Sequence, residues 1–438
     1  MQITPDDVEW VRTSNADPVG RVFRWDGGVY RAINHRSVTF LRGLFDAGII
    51  DRLVSKGFLI GSEIAPFSLD GFGMVLRHSP IPFLSYPFDW CGEMFRDAAV
   101  LICDLGLELR AVDLQLKDMH PWNVMFEGCQ PRFVDIGSIV PYENGRTETV
   151  MREFISTCIY ALQGMASGKS NEVRRLLACE FDDTRLGQRL YHLLPFHRRL
   201  AVRLFRTQLT LLSSNGGLRK LRTSIERLSF KPATTEWSSY ALGDSDYFLP
   251  FQRCGKWFDK QRSVHDVLLR LQPKTVIDIG CNIGWFSELA AKQGCRVLAM
   301  DLDEPSISAL HERAKARSLP IHPIILDFVK STASHIALSP PSELYRGDLA
   351  LALALVHHLV FKNNCRFELI ARELSKYTKK CLLVEFVPPE DYFVKDWMSE
   401  NYRWYSLENF VLALKRFFRN IELMDSTPRP RKLILCEK

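Results

Sequence analysis

Apolar and polar positions divide the 438-residue chain into two parts with different rhythms. Near the N-terminus, β-prone runs at 21–24 and 29–33 flank Asp26-Gly27-Gly28, and a turn sequence of this kind between two such runs predicts a hairpin. Helical spacing follows from about 37 to 53, and a second strand pair is expected at 57–64 and 74–77. The period becomes helical again at 90–109, and 145–230 is mostly helical with breaks at Ser167-Gly168, Pro195 and 213–217. Residues 231–251 (KPATTEWSSYALGDSDYFLPF) keep no period and read as a connector. From Thr275 onward, apolar β-branched runs alternate with helical segments, the rhythm of βαβ units in a parallel sheet. The pattern therefore predicts an α/β chain: an α+β unit over 1–230, a connector at 231–251, and a doubly wound, Rossmann-like sheet over 252–438.

The densest chemistry lies in the run TVIDIGCNIGWFSELAAKQG. Its first five residues, 275–279, read as a buried strand, and Gly280-Cys281-Asn282-Ile283-Gly284 is a glycine-bracketed turn before a helix that opens near Trp285. Glycine lets backbone approach a ligand closely, and a helix N-terminus adds partial positive charge. The spacing is Asp-x-Gly-x-x-x-Gly and not the Gly-x-Gly-x-x-Gly of dinucleotide sites. About 20 residues on, RVLAMDLD puts Asp301 and Leu302 at the tip of a second strand, where a carboxylate can accept two ribose hydroxyls. PIILDF brings Asp327 and Phe328 to the tip of a third, DLALALALVHHLV supplies a fourth, and CLLVEF ends a fifth on Glu385 and Phe386. Each polar residue falls at the carboxyl end of its strand, where open α/β sheets bind ligands.

This segment resembles the class I S-adenosylmethionine-dependent methyltransferase family, whose first motif is matched by Asp278, Gly280, Asn282 and Gly284; Asn282 stands where many members carry glycine. The resemblance covers roughly 250–438. It implies that Asp278 and the turn, Cys281 included, flank the methionine part of S-adenosylmethionine, that Asp301 with Leu302 holds the ribose, and that Asp327 and Phe328 frame the adenine. A hydroxyl or amine acceptor needs a base of near-neutral pKa. His357 and His358, beyond the fourth strand, and Glu385, ending the fifth, are the candidates; helix capping or pocket packing is the plain alternative for the histidines, and an anionic acceptor needs no base. LALALVHHL, VEFVPPED, YPFDW and LKDMHPWN are also similar, over nearly the whole chain, to bacterial methyltransferase-type proteins that include rhizobial nodulation host-specificity proteins. That likeness implies cell-surface or secreted glycan modification.

Residues 116–137, LKDMHPWNVMFEGCQPRFVDIG, resemble the catalytic loop of protein and small-molecule kinases. Asp118 takes the place of the catalytic aspartate, Asn123 that of the metal-binding asparagine, and Asp135-Ile136-Gly137 that of Asp-Phe-Gly. The resemblance implies magnesium-ATP on Asn123 and Asp135 if the unit is active. Against activity, the glycine-rich phosphate loop is missing in its usual form, and Arg31 stands where a lysine would pair the phosphates. A degenerate, ATP-free scaffold is the expectation.

Composition changes this picture little. Hydrophobic residues make up 46% and charged residues 25%, as in ordinary globular proteins, and the net charge of +6 does not by itself call for nucleic acid. Eleven cysteines without CxxC pairs argue for reduced thiols and against a zinc site. The opening MQITPDDVEW lacks the pattern of a signal peptide, and the longest apolar run, near 349–356, is too short to span a bilayer, so a cytoplasmic location is expected. The stretch 185–231 is locally basic, with Glu226 its sole acid. A solvated helix face is the usual meaning of such a run, and a surface for anionic partners is the alternative; without interleaved aromatic residues, RNA ranks last. Leu190, Leu193, Leu194 and Leu200 are expected to pack inside. Together the resemblances imply a methyltransferase acting on a hydroxyl-bearing small-molecule or glycan acceptor, with the N-terminal unit recruiting substrate. The alternatives are a bifunctional kinase–methyltransferase, with polysaccharide-terminating fusions as precedent, and a cofactor-binding regulatory protein without turnover.

Overall fold

In the N-terminal part, strands β1 (Glu9–Trp10), β2 (Gly20–Trp25), β3 (Gly28–Ile33), β4 (Ser62–Ile64) and β5 (Met74–His78) form an antiparallel sheet in the order β1-β2-β3-β5-β4. The computed structural model describes residues 2–14, 17–180, 182–231, 235, 257–328 and 340–438. The β2–β3 hairpin turns through Asp26 and Gly27, both with positive φ (45° and 71°), as a tight two-residue turn requires. The single helix expected at 37–53 is two, α1 (His35–Asp46) and α2 (Ile49–Ser55), because Gly48 adopts φ 67° between them. The connector expected at 231–251 lies almost wholly outside the described residues.

Helix α3 (Gly92–Arg110) is the central strut of this part, with eleven of its residues buried. Short strands β6 (Leu114–Leu116), β7 (Val124–Glu127), β8 (Gln130–Phe133) and β9 (Ile139–Pro141) follow, paired β7–β8 and β6–β9. Helices α4 (Asn144–Phe154), α5 (Tyr160–Met165), α6 (Ser170–Cys179), α7 (Asp183–Leu193), α8 (Phe196–Thr207), α9 (Leu209–Leu212) and α10 (Asn215–Glu226) complete it, broken where Gly168 and Pro195 interrupt the period. Leu190 and Leu194 are buried and Leu193 half-buried, but Leu200, expected inside with them, faces outward. Helix α8 turns Val202 and Phe205 inward instead, placing Leu200 on the opposite side.

After α11 (Asp259–Leu271), the chain alternates β10 (Thr275–Ile279), α12 (Trp285–Lys292), β11 (Arg296–Asp301), α13 (Glu304–Ala316), β12 (Ile321–Ile325), α14 (Pro341–Leu344), β13 (Gly347–Ala352), α15 (Val356–Phe361), α16 (Phe367–Lys376), β14 (Thr378–Phe386), α17 (Leu407–Leu414), β15 (Asn420–Asp425) and β16 (Lys432–Glu437). These strands form one sheet in the order β12-β11-β10-β13-β14-β16-β15, with β16 alone antiparallel to both neighbours. The order reverses between β10 and β13, which opens a crevice at their carboxyl ends. The apolar run at 349–356 is divided: β13 ends at Ala352, and the histidines belong to α15.

One hydrophobic cluster runs through both parts, from Trp90, Phe95 and Phe126 to Val297, Ile321 and Leu433. Polar contacts reinforce it along α13. Asp97 meets His311 Nε2 at 2.9 Å and Lys315 Nζ at 2.6 Å, Glu93 accepts from Ser308 at 2.6 Å, and Arg96 pairs with Glu312 at 2.8 Å. The fully buried Ser85 hydroxyl accepts from the Trp90 indole at 2.9 Å and lies 2.8 Å from His322 Nε2 in β12. Burial pushes the His322 imidazole down to about 3, and burial with the nearby Arg31 charge does the same to His78.

Both histidines stay neutral in the folded chain at pH 5, while their unfolded counterparts, titrating near 6.5, bind protons. Each of these histidines therefore contributes stability that is fully present above pH 6.5 and falls on acidification toward 3, by about 1.4 kcal/mol per pH unit. Urea unfolding of parent and His322→Gln at pH 7 and pH 5 isolates one such contribution: the change in stability between the two pH values should differ between the proteins by about 2 kcal/mol, the parent losing more on acidification.

Candidate functional site

The turn after β10 hangs on the end of β11: Gly280 N–H and Cys281 N–H both donate to Met300 O, at 2.9 and 3.1 Å. Gly280, Asn282 and Gly284 adopt φ values of 72°, 49° and 79°. At Gly284 the need for glycine is double, since a Cβ would also lie 2.5 Å from Leu310 Cδ1. Asn282 meets the same demand through its own side chain, whose Oδ1 accepts from Ile283 N–H at 2.8 Å.

Two carboxylates frame this turn. Asp301 accepts from Asn282 N–H at 2.7 Å and from Asp303 N–H at 2.9 Å, one bond on each oxygen, leaving lone pairs on both for a further donor. Burial raises its pKa, with backbone N–H bonds opposing. Asp278 is buried at the end of β10 and accepts from Ser287 Oγ at 2.6 Å. Burial, with the Asp301 charge adding to it, lifts Asp278 to about 6. Burial pushes both carboxylates toward neutrality, and the Asp301 charge adds to this at Asp278, so the pocket favours a cation. Leu302, next to Asp301, is 61% exposed, an apolar surface beside the carboxylate. Asp327 lies half-buried beyond β12, while the Phe328 ring is buried against Tyr377 with centroids 6.1 Å apart. The sheet thus collects Asp278, Gly280–Gly284, Asp301, Leu302 and Asp327 along one edge, with the Phe328 ring turned into the core.

On the other side of the crevice, Ala354 (φ 51°) turns the chain from β13 into α15. His357 is buried, with Nδ1 lacking a hydrogen-bond partner, and burial followed by nearby positive groups lowers it to about 2. His358 is half-buried; the two rings lie 4.0 Å apart, and Trp397 covers both at 6.1 and 5.5 Å. Glu385, an expected base, has no exposed surface: it accepts from Lys260 Nζ at 2.7 Å, Ala354 N–H at 2.8 Å and Ser426 Oγ at 2.5 Å. A carboxylate held by a buried ammonium and two further donors is a structural anchor, so Glu385 does not serve as the expected base. Lys260, Ser287, Ser426, Trp397 and the buried Asp391–Arg431 pair (2.7 and 3.1 Å) escaped the sequence reading. None ends a parallel strand; the one available signal was the β15–β16 turn, which brings Ser426 and Arg431 to the carboxyl end of β14.

The kinase-like residues also converge. Arg31 Nη1 lies 2.7 Å from both Asp135 Oδ1 and Asp17 Oδ2, and Gly137 N–H donates to Asp135 at 3.1 Å. Lys117 lies 3.8 Å from both Asp17 and Asp118. Asp118 is partly exposed, its pKa raised first by burial, and Asn123 Nδ2 is buried without a hydrogen-bond partner.

A mostly parallel sheet with a glycine-bracketed turn and strand-end carboxylates at its order reversal has the architecture of a class I methyltransferase. Residues 277–380 match the family model described as a methyltransferase domain. The protein is an S-adenosylmethionine-dependent methyltransferase. It is similar to nodulation protein NoeA of Rhizobium meliloti (strain 1021), 25% identical over 451 residues that cover 93% of this chain and 91% of that protein. Among solved structures it is similar to magnesium protoporphyrin IX methyltransferase of Synechocystis PCC 6803 with bound SAH (13% identity, TM-score 0.31, 41% of this chain and 83% of that one). It is also similar to the bifunctional kinase-methyltransferase WbdD (17% identity, TM-score 0.33, 46% of this chain); the match spans less than half, 46%, of WbdD.

The Lys260–Glu385 pair makes a stability prediction. Lys260→Met leaves a buried carboxylate uncompensated and should cost about 3–5 kcal/mol, whereas Lys260→Met/Glu385→Gln should recover most of it. Urea titration of the three proteins reads the difference.

Proposed function

We propose that the C-terminal sheet methylates a hydroxyl-bearing acceptor that is part of a glycan or glycolipid, with His358 as the base and His357 as its positioning partner. The observation that carries this reading is the imidazole pair under Trp397, one ring buried and the other half-buried, across the crevice from Asp278 and Asp301. Lowered to about 2, His357 cannot take up a proton near neutral pH, which leaves His358 to accept the hydroxyl proton. Asp301 and Leu302 hold the ribose side of S-adenosylmethionine, the 280–284 turn and Asp278 face its methionine part, and Asp327 lies toward the adenine. When bound, the cofactor supplies a methyl group already activated on a sulfonium, so the chain's remaining tasks are alignment, exclusion of water and removal of one proton. The glycan assignment draws on the similarity, over nearly the whole chain, to a protein named for nodulation.

Methyl transfer from labelled cofactor to oligosaccharide fractions tests this reading. His358→Ala should lower kcat by about 10²–10⁴ while leaving the KM for cofactor unchanged. An unchanged rate would point to an acceptor that is already anionic, such as a phosphate.

The bifunctional reading is disfavoured by one contact. The Arg31 guanidinium, fixed between Asp17 and Asp135, already compensates the carboxylate that would hold magnesium. These residues do not fit a magnesium-ATP site, and we read the N-terminal unit as a substrate-recruiting scaffold of kinase-like ancestry. Calorimetric titration with magnesium-ATP should show no binding. Binding to the parent that Asp135→Asn abolishes would reinstate the kinase.

A further inference from the structure

Helix α8 carries apolar residues on its outer side. Val202, buried, and Phe205, half-buried, hold it against the protein. Opposite them, Phe196, Leu200 and Leu204 recur every fourth residue as one stripe, 82%, 55% and 57% exposed, and Leu211 on α9 is 55% exposed. Solvent-facing apolar side chains in a continuous row mark an interaction surface more often than chance exposure does.

Charge identifies what the stripe meets. Arg199 and Arg203 immediately precede Leu200 and Leu204, and their guanidinium groups bond to neutral partners: the His192 carbonyl, and the Tyr191 hydroxyl at 2.8 Å. Arg198 likewise bonds to the neutral side-chain oxygen of Gln163, at 2.6 Å. From 185 to 231 the sequence has eleven Lys and Arg against the single acid Glu226; Glu180 pairs with Arg189, Asp104 and Glu226 with Arg222, and Glu148 accepts from Thr210, while Arg198, Arg199 and Arg203 form no ion pair among the described residues. The face thus combines an apolar ridge with uncompensated positive charge beside it.

We propose that α8 and α9 form a docking surface for an anionic lipid bilayer, with Phe196, Leu200 and Leu204 entering the headgroup–acyl boundary and Arg199 and Arg203 meeting lipid phosphates. A second copy fits poorly, because a twofold contact through this face would set its arginines against themselves. Single-stranded RNA fits poorly as well, since its bases stack on aromatic faces and the ridge offers one phenylalanine among leucines.

Co-sedimentation of the full chain with vesicles tests the proposal. The protein should bind vesicles of phosphatidylcholine mixed with phosphatidylglycerol and leave those of phosphatidylcholine alone. Leu200→Ser/Leu204→Ser should lower partitioning at least roughly tenfold, and Arg199→Gln/Arg203→Gln should lower it similarly while flattening its salt dependence. Both variants should keep the parent's melting temperature and cofactor binding, because Leu200, Arg203 and Leu204 are exposed and the half-buried Arg199 forms no ion pair among the described residues. No binding to anionic vesicles, equal binding to neutral ones, or a leucine variant that binds like the parent would overturn the proposal. So would a parent dimer in sedimentation velocity that the leucine variant dissolves, or parent binding to single-stranded RNA but not to vesicles.

Discussion

A carboxylate sealed from water fixes one side of the crevice at the carboxyl ends of the sheet. Glu385 ends β14 and joins three separate segments: α11 through Lys260, the exit of β13 through Ala354 N–H, and the β15–β16 connection through Ser426. A buried ion pair adds little net stability over an apolar pair, yet it is costly to leave half-made, so it specifies one arrangement. That arrangement sets the left-handed turn at Ala354 from which α15 starts, and with it the direction of His357 and His358.

The opposite side, at the 280–284 turn, depends on a second carboxylate in a similar way. Asp301 ties the 280–284 turn to the end of β11 by accepting from Asn282 N–H on one oxygen, and on the other it accepts from Asp303 N–H, with α13 beginning at the next residue, Glu304. Helix α13 is in turn gripped by Glu93, Arg96 and Asp97 of α3, in the N-terminal part. With one hydrophobic cluster running through both parts, the N-terminal unit packs behind the helix that follows Asp301.

The parallel sheet was legible in the sequence because its strands are short apolar runs, four of them with a carboxylate (Asp278, Asp301, Asp327, Glu385) within two residues of the carboxyl end, and the turn because Gly280 and Gly284 bracket it. The division of 37–53 into two helices was harder to see, since Gly48 is tolerated within a helical period until the left-handed geometry is known. Glu385 misled for a definite reason: its strand-end position is that of a ligand-facing residue, but Lys260, 125 residues away, neutralises it. Leu200 misled because a helical period reports that a face is apolar and not which side the rest of the protein covers. Ion pairs such as Arg31–Asp135 and Asp391–Arg431 join distant segments, and local spacing carries no trace of them.

The central claim is that the turn after β10 and the Asp301 carboxylate form the S-adenosylmethionine site. Calorimetric titration of the cofactor into the parent and into Asp301→Asn tests it most directly. The account predicts one site per chain in the parent and an affinity lower by on the order of tenfold or more in the variant, because a ribose hydroxyl loses a charged acceptor. Equal affinities in the two proteins, or no binding to the parent, would contradict it.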